Sequence, residues 1–324
     1  MKRTTATAID IVIPRYLKHF RALGRRFDGE ERTLQSLRAF LVKENRPDLT
    51  ASLFEEWCRN FEHLTANVRR MRQRIVRNFC LYRQRSEPGC FVPDINRFAR
   101  PQPHAAPIIL TPTQIGKLLQ LADECKCTKQ TPLQPHVLRL AIVLLYTAGL
   151  RRSELARLTL ADVDSHSGVL RVRESKFHKS RLVPLSTDAR REMRRYLKHR
   201  LAHELGTAAA SPLLCNMSCG QRGYTGAGLR DAIHRLLIRG GIRDLEGRVP
   251  RTHDFRHTFA VHALLRWYRQ GADVQSNLPK LALYMGHVSI VSTAYYLRWI
   301  PELRELASDR FGANFGYLIQ GCGP

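Results

Sequence analysis

The chain has 324 residues, 44% of them apolar, and carries 53 Lys and Arg against 28 Asp and Glu, a formal net charge of +25. That length and apolar content suit two folded domains with real cores and no need of disulfide staples. Residues 1–100 hold 21 basic and 11 acidic side chains, so both parts of the chain are cationic, and the expected partner is a polyanion, nucleic acid above all.

No run reaches the roughly 18 to 20 apolar residues of a membrane helix, the longest being Leu140 to Leu150, and the N-terminus has no signal-peptide block. The expectation is a cytoplasmic, nucleoid-associated protein that does not touch a membrane. Eight cysteines are scattered, and their close pairs, Cys125 with Cys127 and Cys215 with Cys219, lack a second pair at zinc-ligand spacing. They read as reduced structural thiols.

Residues 1–100 read as a helical, DNA-binding domain. Leu34, Leu37, Phe40 and Leu41 share one helical face, and Leu53, Phe54 and Trp57 another. From Ala66 to Arg85, Val68, Met71, Ile75, Phe79 and Tyr82 recur at helical spacing. Arg69, Arg70, Arg72, Arg74 and Arg77 fill other faces, with no acid between Glu62 and Glu87. This pattern suits a helix laid along phosphates; a solvated basic face is the plainer alternative.

Prolines at 101, 103 and 107 mark residues 101–110 as a linker, and residues 111–324 as a catalytic domain with a C-terminal tail. Thr111, Pro112 and Gln114 have the spacing of a capping box with proline at the first helical position. A helix over "HVLRLAIVLLYT" breaks at Gly149 and is followed by a second over "SELARL". Gly168–Arg173 and Arg181–Leu185 flank the polar turn "ESKFHKS" as a hairpin, and helices return after Asp188, apart from a poorly defined stretch over residues 206–228. The fold class is therefore mainly α with a small antiparallel β-sheet, an α+β catalytic domain behind a helical N-terminal domain.

Four short pieces hold the reactive side chains: "TAGLRRSEL" with Arg151 and Glu154, "ESKFHKSRLVPL" with Lys176, "THDFRHTF" with His253 and Arg256, and "MGHVSIVSTAYYL" with His287 and Tyr296. In this order and spacing they resemble the tyrosine recombinase, or phage integrase, family over roughly residues 105–300. The resemblance places the family's phosphate-binding arginines on Arg151 and Arg256, its hairpin lysine on Lys176, its two histidine positions on His253 and His287, and its nucleophile on Tyr296, nine residues after His287. It implies a helical core-binding domain ahead of the catalytic one and a basic clamp around duplex DNA. The segment between the two histidine motifs is longer than in compact members, as in transposon-associated relatives. No arm-binding domain is expected before the helices.

The chemistry asks for these residue types. Cleaving a phosphodiester without metal needs fixed guanidiniums to answer the charge on the two non-bridging oxygens. A free phenol, with a pKa of about 10, is only about one part in a thousand phenolate near pH 7, a deficit of roughly 4 kcal/mol. His253 suits the proton acceptor, His287 a hydrogen-bond donor to phosphate, and Lys176 the acid that protonates the departing 5′ oxygen. Glu154, one turn after Arg151, suits a carboxylate that orients a basic partner.

Lys179 and Arg181 rival Lys176 on the same turn. His257 is expected to pack or to bond the backbone, and Tyr295 to pack, since helix neighbours point about 100° apart. "HDFRH" also resembles a distorted zinc-protease "HExxH", but Asp254 replaces the general-base glutamate and Arg256 would repel a dication, so no metal and no cofactor are expected.

The resemblance thus implies site-specific recombination, for integration or excision of a mobile element, through a 3′-phosphotyrosyl intermediate at specific duplex sites. It implies a homotetramer on DNA, with sister recombinases as further candidate partners. The stretch after Tyr296 carries an apolar helical stripe expected to dock on a neighbouring protomer, which deletion of residues 303–324 would test. A type IB topoisomerase-like enzyme and a decayed DNA-binding accessory protein are the alternatives.

Overall fold

The computed structural model describes residues 8–103, 105–173, 180–203, 205–216, 222–287, 291–294 and 296–297. The chain divides into two compact units, residues 1–105 and 106–324. Among the described residues no helix is long and apolar enough to cross a membrane.

The first unit packs α1 (Ala8–Ala22), α2 (Asp28–Lys43), α3 (Ala51–Arg59) and α4 (Ala66–Arg83) around one core. Leu34, Leu37, Leu41, Phe54, Trp57 and Phe79 fill it, and Thr50 caps α3 by accepting from the Leu53 amide.

The buried stripe of α4 differs from the one its apolar spacing predicts. Ile75, Val76, Phe79, Cys80 and Arg83 face the core, while Met71 is half exposed. Arg83 can enter because Asp48 and Glu87 both pair with its guanidinium, so the buried cation is not left without a counter-charge. A basic residue thus occupies a packing position that hydropathy assigns to solvent.

The second unit begins earlier than the proline-rich stretch suggests. Leu110 is fully buried and its amide donates to Thr258 Oγ1 at 3.0 Å, so the end of the expected linker is core. Thr111 and Gln114 form the reciprocal capping box at the start of α5 (Pro112–Asp123). There follow α6 (Gln134–Thr147), buried on nearly every side, and the single turn α7 (Arg152–Leu155).

The hairpin of β2 (Val169–Val172) and β3 (Arg181–Pro184) is antiparallel, with Leu170 opposite Val183. It gains a third strand, β1 (Val163–Asp164), too short to leave an alternating signal in the sequence. Then come α8 (Thr187–Ala202), α9 (Gly226–Arg239), α10 (Asp254–Arg269), α11 (Val274–Met285) and the short α12 (Val291–Ala294).

The described part of the stretch after α8, residues 205–216, packs on the core. Leu213 and Leu214 are buried, and Arg200 donates to the carbonyls of Pro212, Leu213 and Gly206. Among the described residues Cys58, Cys80, Cys90, Cys125, Cys127 and Cys215 are all free thiols.

Candidate active site

The site forms around the C-terminus of α11. Gly286, just past the helix, is left-handed (φ +67°). Its amide donates to Leu283 O, and the His287 amide reaches back to Ala282 O. This is a Schellman turn, which presents His287 immediately after the helix.

The turn leaves the last two carbonyls of α11 and that of Gly286 to be satisfied from outside, and three arginines do so. Arg181 Nε donates to Tyr284 O at 2.8 Å, Arg256 Nη2 to Met285 O at 2.5 Å, and Arg151 Nη2 to Gly286 O at 3.1 Å. Cations at a helix C-terminus also meet the negative end of its dipole. Three guanidiniums from three distant elements thereby converge on the segment that carries His287.

Arg256, on the first turn of α10, is 1% exposed. Its Nη1 donates to Gly149 O at 2.6 Å. Gly149 is itself left-handed (φ +57°), and a Cβ there would lie 2.5 Å from the Phe259 ring. Among the described residues no carboxylate is in ion-pair contact with Arg256. Burial, then the charge of Arg151, lowers its pKa to about 10, so it stays cationic at neutral pH.

Arg151 precedes α7 rather than lying within a helix. Its amide and Nη1 donate to the Glu154 carboxylate at 2.9 and 2.7 Å. Arg181 forks onto the same carboxylate at 3.0 and 2.9 Å. Burial would raise Glu154, but the Arg181 bonds and charge, with those of Arg151, override it and hold the pKa at about 2.

A carboxylate depressed in the folded state contributes stability above its unfolded pKa, near 4.5, that is lost as pH falls through the folded value. Glu154→Gln should therefore flatten the acid limb of unfolding between about pH 4.5 and 2, where about 3 kcal/mol is at stake by this linkage. Urea titrations at stepped pH would check it.

The histidines lie on the same side. The His253 and His257 rings meet edge to face at 4.7 Å between centroids, and His257 meets the Tyr296 ring at 5.3 Å. The His287 ring lies 6.1 Å from that of Tyr296, and its Nδ1 shares a hydrogen bond with the buried Thr293 hydroxyl at 2.8 Å.

Crowding by protein, then the Arg256 charge, lowers the pKa of the solvent-accessible His253. Burial and the charges of Arg256, Arg151 and Arg181 bring His287 down to about 4. Burial brings His257 to about 3, and its buried Nδ1 has no hydrogen-bond partner among the described residues. Tyr296 is 3% exposed, packed with Val261, Leu264 and Met285 and within electrostatic reach of Arg256.

Six of the seven residues that the motifs nominate thus meet: Arg151, Glu154, His253, Arg256, His287 and Tyr296. Lys176, its rival Lys179, the alternative tyrosine Tyr295 and the tail lie outside the described residues. Arg181, a rival for the lysine role by sequence, is instead buried beneath Glu154, and only its place at the head of a strand beside a reactive turn hinted at more. A cavity of about 610 Å³ opens beside Arg151 and His253, lined also by Arg152, Arg230, His234 and Arg251, which the motifs do not include.

On α4 the five arginines divide. Arg70 and Arg77 donate to the Ala99 and Pro93 carbonyls, and Arg72 lies 4.3 Å over the Phe61 ring. Arg69 is half-buried and Arg74 exposed.

Residues 109–301 match the phage integrase family. The chain belongs to that family. The recombinase is 34% identical over 92% of its length to the "Putative integrase/recombinase y4rB" of Sinorhizobium fredii, 95% of which is covered. It is 30% identical, over 59% of its length and 58% of the relative's, to the tyrosine recombinase XerC of Thermodesulfovibrio yellowstonii. Among solved structures, the Tn1549 transposon integrase in complex with a circular intermediate DNA shares its fold, with a TM-score of 0.63 at 19% identity, covering 90% of this chain and 95% of that one. Like its family, it is an enzyme that breaks and rejoins DNA strands by transesterification.

Proposed function

We propose that this recombinase exchanges strands between specific duplex sites through a phosphotyrosyl link at Tyr296, moving a mobile element into or out of DNA. The observation that carries the reading is the convergence of Arg151, Arg181 and Arg256 beside His287 and Tyr296, three cations among which Glu154 is the one described carboxylate in contact, paired with Arg151 and Arg181. A site with that surplus of fixed positive charge is built for an anion, and paired guanidinium donors fit the two non-bridging oxygens of a phosphodiester.

The Tyr296 oxygen attacks phosphorus as His253 accepts the phenolic proton. The bond to the 5′ oxygen breaks, Lys176 protonates that oxygen, and the DNA stays joined through its 3′ phosphate. A 5′ hydroxyl of another strand reverses the step, so bond energy is conserved without ATP, and two rounds on a junction call for four protomers. Arg256 and Tyr296 are buried in the free chain, so productive binding has to uncover both.

Flanking phosphates would lie along Arg152, Arg230 and Arg251, and on α4 along Arg69 and Arg74, with Arg70, Arg72 and Arg77 adding the donors their internal contacts leave over. The relation to y4rB and the fold shared with a transposon integrase support the mobile-element role.

The reading is tested with a pool of nicked random-sequence duplexes that trap a covalent intermediate. Captured sequences should share a site, with protein on the 3′ phosphate, and two copies of that site should then exchange strands. Adducts on arbitrary sequence with supercoil relaxation and no exchange would point to a topoisomerase, and no adduct to a binding protein.

A phosphate beside His287 should pull its pKa up from about 4 toward the ordinary histidine value. Binding near pH 5 to 6 should then take up a proton and tighten as pH falls from 7. Calorimetry in buffers of different ionisation enthalpy would register that uptake, and His287→Asn should remove it.

A further inference from the structure

We propose that Arg181 is a positioning residue for strand cleavage: by occupying one edge of Glu154 it keeps Arg151 open to the scissile phosphate, and it stitches the hairpin to the turn that carries His287. The inference rests on the recombinase reading of the site.

Arg181 opens β3, five residues after Lys176 in the sequence, and its side chain is 8% exposed. Three of its donors are committed, two to Glu154 and one to Tyr284 O. Glu154 is then saturated: Oε1 receives Arg151 Nη1 and Arg181 Nη1, and Oε2 receives the Arg151 amide and Arg181 Nη2. A carboxylate has about four lone-pair positions, so no capacity remains to close a two-pronged pair with the Arg151 guanidinium.

Without Arg181 the buried carboxylate would be half satisfied and would take a second bond from Arg151, the nearest donor. That pair would neutralise a cation needed by phosphate and turn its donors away. Sharing one negative charge between two guanidiniums leaves the cluster with net positive charge.

The stitching is equally direct. Tyr284 returns a bond from its hydroxyl to Pro184 O at 2.9 Å, so β3 is tied to α11 at both ends. Gly286 belongs to the same contact, because a Cβ there would sit 3.0 Å from Arg181 Nη1. Lysine cannot reproduce the fork, since its ammonium is a single point of charge.

The test is a double-mutant cycle on single-turnover adduct formation, using Arg181→Lys and, should it not fold, Arg181→Gln, each alone and with Arg151→Ala. On an ordinary phosphodiester the Arg181 variant should bind DNA within about 3-fold of wild type yet form adduct about 30-fold more slowly, the scale of a misplaced charged donor. In the Arg151→Ala background the same change should cost less than about 3-fold more, because the main group it positions is gone and only its tie to α11 remains to be lost.

A methylphosphonate at the scissile position, which lacks the charge that Arg151 answers, should likewise shrink the defect. Additive losses in the cycle, or an undiminished rate in the single variant, would overturn the proposal. Wild-type protein that forms no adduct on either linkage would instead remove the recombinase reading.

Discussion

Tyr296→Phe protein should bind its DNA site with unchanged affinity and form no covalent adduct at all. The replacement removes only the attacking oxygen. The phenyl ring keeps the edge contact with His257 and the stacking on His287, and it stays within the cluster of Val261, Leu264 and Met285. Loss of one phenolic hydroxyl costs at most about 1 to 2 kcal/mol of stability, too little to unfold an ordinary domain. Catalysis has no comparable reserve, because a ring carbon cannot attack phosphorus.

The measurement is trapping on a nicked substrate, read as a protein band of reduced mobility under denaturing conditions. Tyr295→Phe is the matched control and should give full trapping. Adduct surviving in Tyr296→Phe and vanishing in Tyr295→Phe would move the nucleophile by one residue and undo the spacing from His287 on which the assignment depends.

Much of the site was legible because its residues sit in short local signals. Arg151 and Glu154 are one turn apart, His253 and Arg256 begin one helix, and Gly286 with His287 is a helix stop whose left-handed glycine is a sequence feature in itself. The capping box at Thr111 was legible for the same reason, as were the hairpin and the cores of α2 and α3. What escaped depends on partners far away in sequence.

The role of Arg181 is set by Glu154, 27 residues upstream, and by Tyr284, 103 residues downstream, and nothing in "SRLVPL" announces either. On α4 Ile75 and Phe79 are buried as their spacing predicts, but Arg83 joins them because Asp48, 35 residues away, pairs with it, and no local pattern announces that partner. Leu110 sits among prolines yet is buried because Thr258 supplies its amide with an acceptor across 148 residues. β1, only two residues long, exists by pairing with β2 rather than by any pattern of its own.

Replacing Arg256 should separate charge from geometry. Arg256→Ala removes a donor aimed at a phosphate oxygen and should slow adduct formation by about 10² to 10³. It also leaves the buried carbonyls of Gly149 and Met285 without a donor, each worth roughly 1 to 3 kcal/mol, while relieving the cost of a cation buried next to Arg151. These stability effects oppose each other, so the kinetic loss should exceed the loss of folding free energy.

Arg256→Lys is the sharper experiment. The burial and the Arg151 charge that lower arginine from 12.5 to about 10 would also lower a lysine from its ordinary value of about 10.4, toward the range where it loses its proton. The lysine variant should therefore retain some cleavage at pH 7 and lose it as pH rises from about 7 to 9, through the loss of the proton that carries its charge. Wild-type arginine stays protonated over that interval and should show no such limb. Single-turnover rates for both proteins from pH 6.5 to 9 decide it: parallel profiles would mean that Arg256 serves only to hold Gly149 and Met285 together, and a falling limb confined to the lysine variant would mean that its charge faces the reacting phosphate.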